Sequence, residues 1–277
     1  MRRGTIVVDG LTTGFVEAGE GEPVVLLHGG EFGADAELAW EHTIAALAER
    51  YRVVAPDQLG YGRTAKVIDF VHGRRMRIRH VARFCDALGI ESATFIGNSM
   101  GAVNLLVDAT SDVPLLPIRR IVAICGGGEI LSNEHVDALY DYDATFPAMR
   151  RLVAALFHDP SYPADDDYVR RRFESSTAPG AWEAVAAARF RRPDAAVAGG
   201  GRGEPDYGRI TVPVLFVEGG ADKLKPPGWA GHLAGQVRDG RSTVIDDAGH
   251  CPQIEQPAEV NRQILDFLAG PSGGGCG

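Results

Sequence analysis

Gly97-Asn98-Ser99-Met100-Gly101 sets a serine between two glycines, after an apolar run and before a helical one. A hydroxyl becomes a nucleophile when a base takes its proton, and a tight strand-to-helix turn presents it above a sheet. The glycines suit that geometry, because side chains at Gly97 or Gly101 would collide with neighbours around so tight a turn. The Met100 N–H, at the start of the helix, then faces the oxyanion formed when Ser99 attacks a carbonyl. The bland alternative is a loop serine, since such pentapeptides also occur by chance.

Two more residues fit the same chemistry. Gly249-His250 follows the last apolar strand, where a loop can carry the imidazole back over the sheet to act as base. That imidazole needs a carboxylate to fix its tautomer and stabilise its charge, and Asp222 lies in Glu218-Gly219-Gly220-Ala221-Asp222, past another strand. The chain order Ser, Asp, His is the one expected for a serine nucleophile on a doubly wound sheet. Asp246 and Asp247 sit closer to His250 in sequence and compete as the orienting acid, with Glu129 in reserve. Asp222 is preferred for the Gly-rich turn of its own strand end. His28-Gly29-Gly30 ends the first long buried strand, and the second oxyanion donor is assigned to the Gly30 N–H. His28 reads as structural.

These residues need strands whose C-terminal ends lie side by side. The sequence supplies them. Residues 5–18 read as strands joined by turns; apolar runs at 24–27, 52–55, 93–96, 118–124, 212–217 and 242–245 read as buried strands of a mainly parallel sheet. Helices fall between them at 40–50, 74–88 and 101–109. A final helix carries Val260, Ile264, Phe267 and Leu268 on one stripe. The expected fold is α/β, a mostly parallel, doubly wound sheet of about eight strands. Residues 130–207 lack clean strands and read as a helical cap, so the core comprises 1–129 and 208–270. Residues 271–277 read as a flexible Gly-rich tail.

Composition narrows the classes. The 277 residues are 45% hydrophobic and 23% charged, which is ordinary globular usage, and the formal net charge of -9 argues against nucleic acid or an anionic membrane as partner. No apolar run approaches the roughly 18 residues of a membrane span. The start, MRRGTIVVDG, has no apolar stretch of a secretory signal. Four cysteines without metal-ligand spacing read as small core residues, apart from Cys276 in the tail, and imply a cytoplasmic, reducing location. The eight histidines show no metal spacing, and Gly60-Tyr61-Gly62-Arg63-Thr64 is a turn rather than a nucleotide loop. No metal and no cofactor is expected; the partner is a small-molecule substrate.

The motifs HGG, Asp57-Gln58-Leu59-Gly60-Tyr61-Gly62-Arg63-Thr64, GNSMG, GGAD and AGH resemble those of the α/β-hydrolase superfamily along nearly the whole chain. Within it, the spacing from His28 to Ile44, GNSMG, and Glu255 to Leu268 are similar to the meta-cleavage-product hydrolases. The resemblance implies cleavage of a carbon–carbon bond in vinylogous diketones from aromatic ring fission, with the histidine also helping to ketonise a dienol. It also implies a homodimer or larger assembly. At substrate-contact positions the chain departs from the family: the loop after His28 reads GGEFGAD without Gly-Pro-Gly, Ala39 replaces an asparagine, and Cys251 replaces a tryptophan. Gly29, Ala39 and Cys251 are thus candidate substrate contacts. Arg189, Arg191 and Arg192 are candidates for the cap arginine that grips the dienoate; their bland reading is solvated helix or loop. The expected function is a serine hydrolase cleaving a C–C bond next to a carbonyl, or an ester-type bond. Thioester or lactone hydrolysis, acyl transfer or cyclisation in a biosynthetic pathway, and a non-catalytic ligand-binding protein are the alternatives.

Overall fold

The computed structural model describes residues 1–70, 72–187 and 205–270. Their strands are β1 (Arg2–Val8), β2 (Leu11–Ala18), β3 (Pro23–Leu27), β4 (Arg52–Pro56), β5 (Ala93–Asn98), β6 (Ile118–Ile124), β7 (Val214–Gly219) and β8 (Gly240–Ile245). They form one sheet in the order β1-β2-β4-β3-β5-β6-β7-β8. Strands β1, β2 and β4 pair antiparallel; every pair from β4 to β8 is parallel.

The continuous apolar runs of β3, β5 and β7 are explained by burial on both faces, and side chains alternate between them with the period of a strand. Val25, Leu27, Phe95, Ile121 and Phe216 pack on one face, with α2 (Gly73–Ala87), α3 (Met100–Ala109) and α9 (Trp229–Ala234). Val24, Leu26, Ile96, Val122 and Val217 pack on the other, with α1 (Ala36–Leu47) and α11 (Pro257–Ala269). The stripe Val260, Ile264, Phe267 and Leu268 faces this second layer. Helix α1 begins four residues before Trp40, the start read from the sequence. The Asp35 side chain accepts from the Leu38 N–H at 2.8 Å, and Asp57 Oδ1 accepts from the Ala36 N–H at 2.9 Å. Those two acceptors satisfy helix-start donors that composition alone does not reveal.

Between β6 and β7 the chain runs through α4 (Glu134–Tyr140), α5 (Phe146–Leu156), α6 (Ser161–Ala164), α7 (Asp166–Thr177) and α8 (Ala181–Ala186). The apolar face of this insert, including Met149, Leu152, Val153, Leu156 and Phe157, meets Phe32, Tyr61, Leu224 and Cys251 of the sheet domain. A short helix α10 (Pro252–Glu255) follows the last strand's loop. Among the described residues no helix is long and apolar enough to cross a membrane.

Registry places the strand ends in a row. Leu27 pairs with Gly97, Asn98 with Ile124, Ile124 with Val217, and Gly219 with Ile245. Residues one to five positions beyond these ends therefore share one edge of the sheet, as parallel α/β sheets arrange their sites.

Candidate active site

Ser99 joins β5 to α3 with φ 49 and ψ -116, a strained conformation for a residue with a side chain. Its N–H donates to the Ile124 carbonyl at 2.8 Å. A Cβ on Gly97 would strike the Ala102 nitrogen, and one on Gly101 the Leu27 carbonyl. The turn is thus pressed between β3, β6 and its own helix, which is what holds Ser99 in this conformation.

His250 and Asp222 arrive from the ends of β8 and β7. His250 Nδ1 donates to Asp222 Oδ2 at 2.8 Å, and Nε2 lies 2.9 Å from Ser99 Oγ. Burial pushes the Asp222 carboxyl up, but its contact with His250 and the Leu224 N–H on Oδ1 outweigh burial and hold it below the usual carboxylate range. A charged Asp222 keeps the proton on Nδ1, which leaves the Nε2 lone pair facing the Ser99 hydroxyl. Asp246, Asp247 and Glu129 are exposed, and it is Asp222 that carries the bond to His250.

Met100 is the first residue of α3, so its N–H stands among the unpaired donors of a helix start. Gly30 lies against it: a Cβ there would come within 2.9 Å of Met100 Cβ. The Gly30 carbonyl accepts from the Tyr61 hydroxyl at 2.8 Å. His28 is buried; its Nδ1 donates to the Gly29 carbonyl at 2.7 Å and its Nε2 accepts from the Gln58 N–H at 2.9 Å. That ring fixes the loop carrying Gly29 and Gly30.

Of the candidate substrate contacts, Cys251 and Gly29 lie beside the serine turn. Cys251 Sγ is 4.0 Å from Asn98 Oδ1, and burial pushes its thiol well above the usual range. A Cβ on Gly29 would run into the Glu31 carboxylate. Ala39 packs elsewhere, with Ala36, Trp40 and Ile44 in the layer under α1 and α11. Arg189, Arg191 and Arg192 lie outside the described residues.

The site also contains residues that sequence reasoning missed. Asn98 Nδ2 donates to the His250 carbonyl at 3.1 Å. Glu31 and Arg172, both buried, pair at 3.1 Å between the loop after β3 and α7. Burial pushes the Glu31 carboxyl up, yet the adjacent guanidinium and its own N–H bring it below the usual range. Arg172 Nε also donates to the Tyr168 hydroxyl at 3.0 Å. A signal for Arg172 existed: with Val169 and Ser176 it sits on the buried side of α7, where a charge needs a partner.

Known proteins resemble the chain along most of its length. The Alpha/beta hydrolase family model matches residues 24–263. The 2-hydroxy-6-oxo-6-(2'-aminophenyl)hexa-2,4-dienoic acid hydrolase of Metapseudomonas resinovorans is 33% identical over 264 residues, 94% of this chain and 88% of that protein. The 2-hydroxymuconate semialdehyde hydrolase of Pseudomonas sp. strain CF600 is 29% identical over 95% of this chain and 93% of its own. The crystal structure of a meta-cleavage product hydrolase from Pseudomonas fluorescens IP01 superposes with a TM-score of 0.83 at 28% identity, covering 96% of this chain and 97% of that one. The matched stretch runs from the strand before His28 to the helix after His250, and on that ground the chain is an enzyme of the alpha/beta hydrolase family.

Proposed function

We propose that the chain is a serine hydrolase needing no cofactor, that Ser99 is its nucleophile, His250 its base and Asp222 the acid that orients His250, and that it cleaves the C–C bond beside a carbonyl in a vinylogous diketone. The observation that carries this reading is the relay Ser99 Oγ–His250 Nε2 at 2.9 Å and His250 Nδ1–Asp222 Oδ2 at 2.8 Å, built on a serine at φ 49. The bond class comes from the relatives, several of which are named for dienoate substrates.

In this reading His250 first shifts a proton so that the substrate dienol becomes a ketone and the leaving carbon can depart as an enol. Ser99 Oγ then bonds to the carbonyl carbon while its proton passes to His250 Nε2. The oxyanion is held by the N–H groups of Gly30 and Met100. Collapse of the adduct breaks the C–C bond, its electron pair passes into the conjugated ketone as an enolate, and the enolate oxygen takes the proton from His250, so that the fragment leaves as an enol. A water, deprotonated by His250, attacks the acyl carbon and releases the acid and Ser99. Helices α4–α8 of the insert, which pack over Phe32, Tyr61, Leu224 and Cys251, set which substrates enter in this reading.

A second reading, ester hydrolysis by the same residues, is favoured by one contact. The buried Arg172 guanidinium is committed to Glu31, so it offers no free charge to a dienoate carboxylate.

Intact-mass labelling with a small fluorophosphonate tests the nucleophile. One adduct on the peptide containing Ser99, absent in Ser99→Ala, supports the reading; an adduct that survives in Ser99→Ala removes it. Turnover of a 2-hydroxy-6-oxo-6-phenyl dienoate against p-nitrophenyl acetate then separates the two bond classes.

A further inference from the structure

The loop that carries His250 is attached to the insert as much as to the sheet. The His250 N–H donates to the carbonyl of Leu156, the last residue of α5, at 2.8 Å. A Cβ on Gly249 would come within 2.6 Å of that carbonyl and 2.8 Å of the His158 nitrogen, so the end of α5 lies directly against the residue before the imidazole. Lys223, next to Asp222, donates to the carbonyls of Ala154 and Phe157 at 2.9 and 2.8 Å and so caps the same helix end.

Glu255 closes this junction. Its Oε1 accepts from the N–H groups of His158 and Asp159 at 2.7 and 2.8 Å, and its Oε2 from the Gly249 N–H at 2.6 Å. One carboxylate thus satisfies three backbone donors from two segments 90 or more positions apart in the chain (Gly249 against Asp159). Burial pushes the carboxyl up, which those three N–H groups counter. Among the described residues, Glu255 is the side chain that bridges the Gly249 N–H to those of His158 and Asp159.

We propose that Glu255 is a positioning residue for the reaction: it ties Gly249 to the end of α5, so that the placement of the His250 imidazole is set by the insert. The proposal rests on His250 being the base. It makes the insert part of the catalytic frame as well as the wall of a pocket. A misplaced imidazole affects the step in which the proton moves, not the affinity for substrate.

The test uses the full chain with Glu255→Gln, alongside Ser99→Ala and His250→Ala. An amide has one acceptor oxygen, so its NH2 must face at least one of the three donors. For p-nitrophenyl acetate, kcat is expected to fall roughly ten- to a hundredfold, with KM within about twofold of wild type. The low-field proton resonance of His250 Nδ1–H is expected to shift or broaden, a change that a purely structural role elsewhere would not cause. If Glu255→Gln does not fold, Glu255→Asp replaces it, since a carboxylate one methylene shorter cannot reach both segments. A folded variant with wild-type kcat and an unmoved resonance overturns the proposal, provided Ser99→Ala and His250→Ala are inactive. If those two turn over at the wild-type rate, the base assignment itself falls and this proposal with it.

Discussion

Arg172 Nη1 lies 3.1 Å from Glu31 Oε1, and both side chains are almost wholly removed from water at 1% and 5% exposure. The pair spans α7 of the insert and the loop that carries Gly29 and Gly30. Removing one partner strands a buried charge, which costs about 3–5 kcal/mol. Arg172→Met is therefore expected to lower unfolding stability by about that amount. The double variant Glu31→Gln, Arg172→Met is expected to recover most of the loss. Urea denaturation of wild type, Glu31→Gln, Arg172→Met and the double variant measures the coupling, and simple additivity of the single effects would contradict it.

The same pair has a pH signature. Burial acts to raise the Glu31 carboxyl, and Arg172 more than reverses it, so the folded value lies below the ordinary 4.5. A carboxylate held low in the folded state contributes stability that is present above its unfolded value and lost as pH falls through the folded one. Without Arg172, Glu31 becomes easier to protonate, and the variant gains as acid is added. The melting-temperature gap between wild type and Arg172→Met is therefore expected to be widest near neutrality, to begin narrowing above the ordinary 4.5 as the variant's Glu31 protonates, and to narrow further below it as the wild-type pair is lost. A gap that widens in acid would show that Glu31 is not charged in the native protein.

The relay makes a graded prediction for turnover. Ser99→Ala and His250→Ala are each expected to lose activity by about 10^4-fold or more. Asp222→Asn is expected to fall by a similar order while remaining folded, because an amide holds the imidazole in the wrong tautomer. Asp246→Asn and Asp247→Asn, at exposed positions, are expected to stay near wild type. Steady-state kinetics on the dienoate and on p-nitrophenyl acetate check all five; a dead Asp246 or Asp247 variant beside an active Asp222→Asn would reassign the acid.

The serine turn tolerates no side chain beneath it. Gly101→Ala sets a methyl against the Leu27 carbonyl, so the strand or the turn must move. A loss of about 1–3 kcal/mol in stability is expected from such crowding, together with slower labelling of Ser99 by fluorophosphonate. Gly89→Ala, at φ 66 but with open space around its Cβ, serves as the control for backbone strain alone. Equal labelling rates in the two variants would show that the Leu27 contact does not hold the turn.

The parts of the site that were legible in sequence are those that the local backbone dictates. Gly97 and Gly101 announce Ser99 because the turn excludes side chains. Asp222 and His250 are legible as residues just beyond apolar strands, and strand registry then decides that they meet. Glu31, Arg172 and Glu255 were not legible as partners, because their contacts join residues 141 and 97 positions apart. Such pairs depend on how the insert docks, and no periodicity within either segment encodes that. The start of α1 was misplaced for a related reason: the Asp57 acceptor that holds the Ala36 N–H comes from the end of β4, 21 residues away.

β6 and β7 are direct neighbours, with Ile121 beside Val214 and Ile124 beside Val217. The two strands run parallel, so the chain leaves at the C-terminal end of β6 and must cross the sheet to re-enter at the N-terminal end of β7; helices α4–α8 are an elaboration of that one crossover, and the pairing of the two strands does not depend on its length. For a lineage, this separates two rates of change. The crossover can lengthen, shorten or be rebuilt while the row of strand ends stays in register. The end of α5 and Arg172 of α7 are exceptions, since Gly249, His250 and Lys223 rest on the first and Glu31 is paired with the second. Descendants of this chain are thus expected to diverge first in what they cleave, and last in how they cleave it.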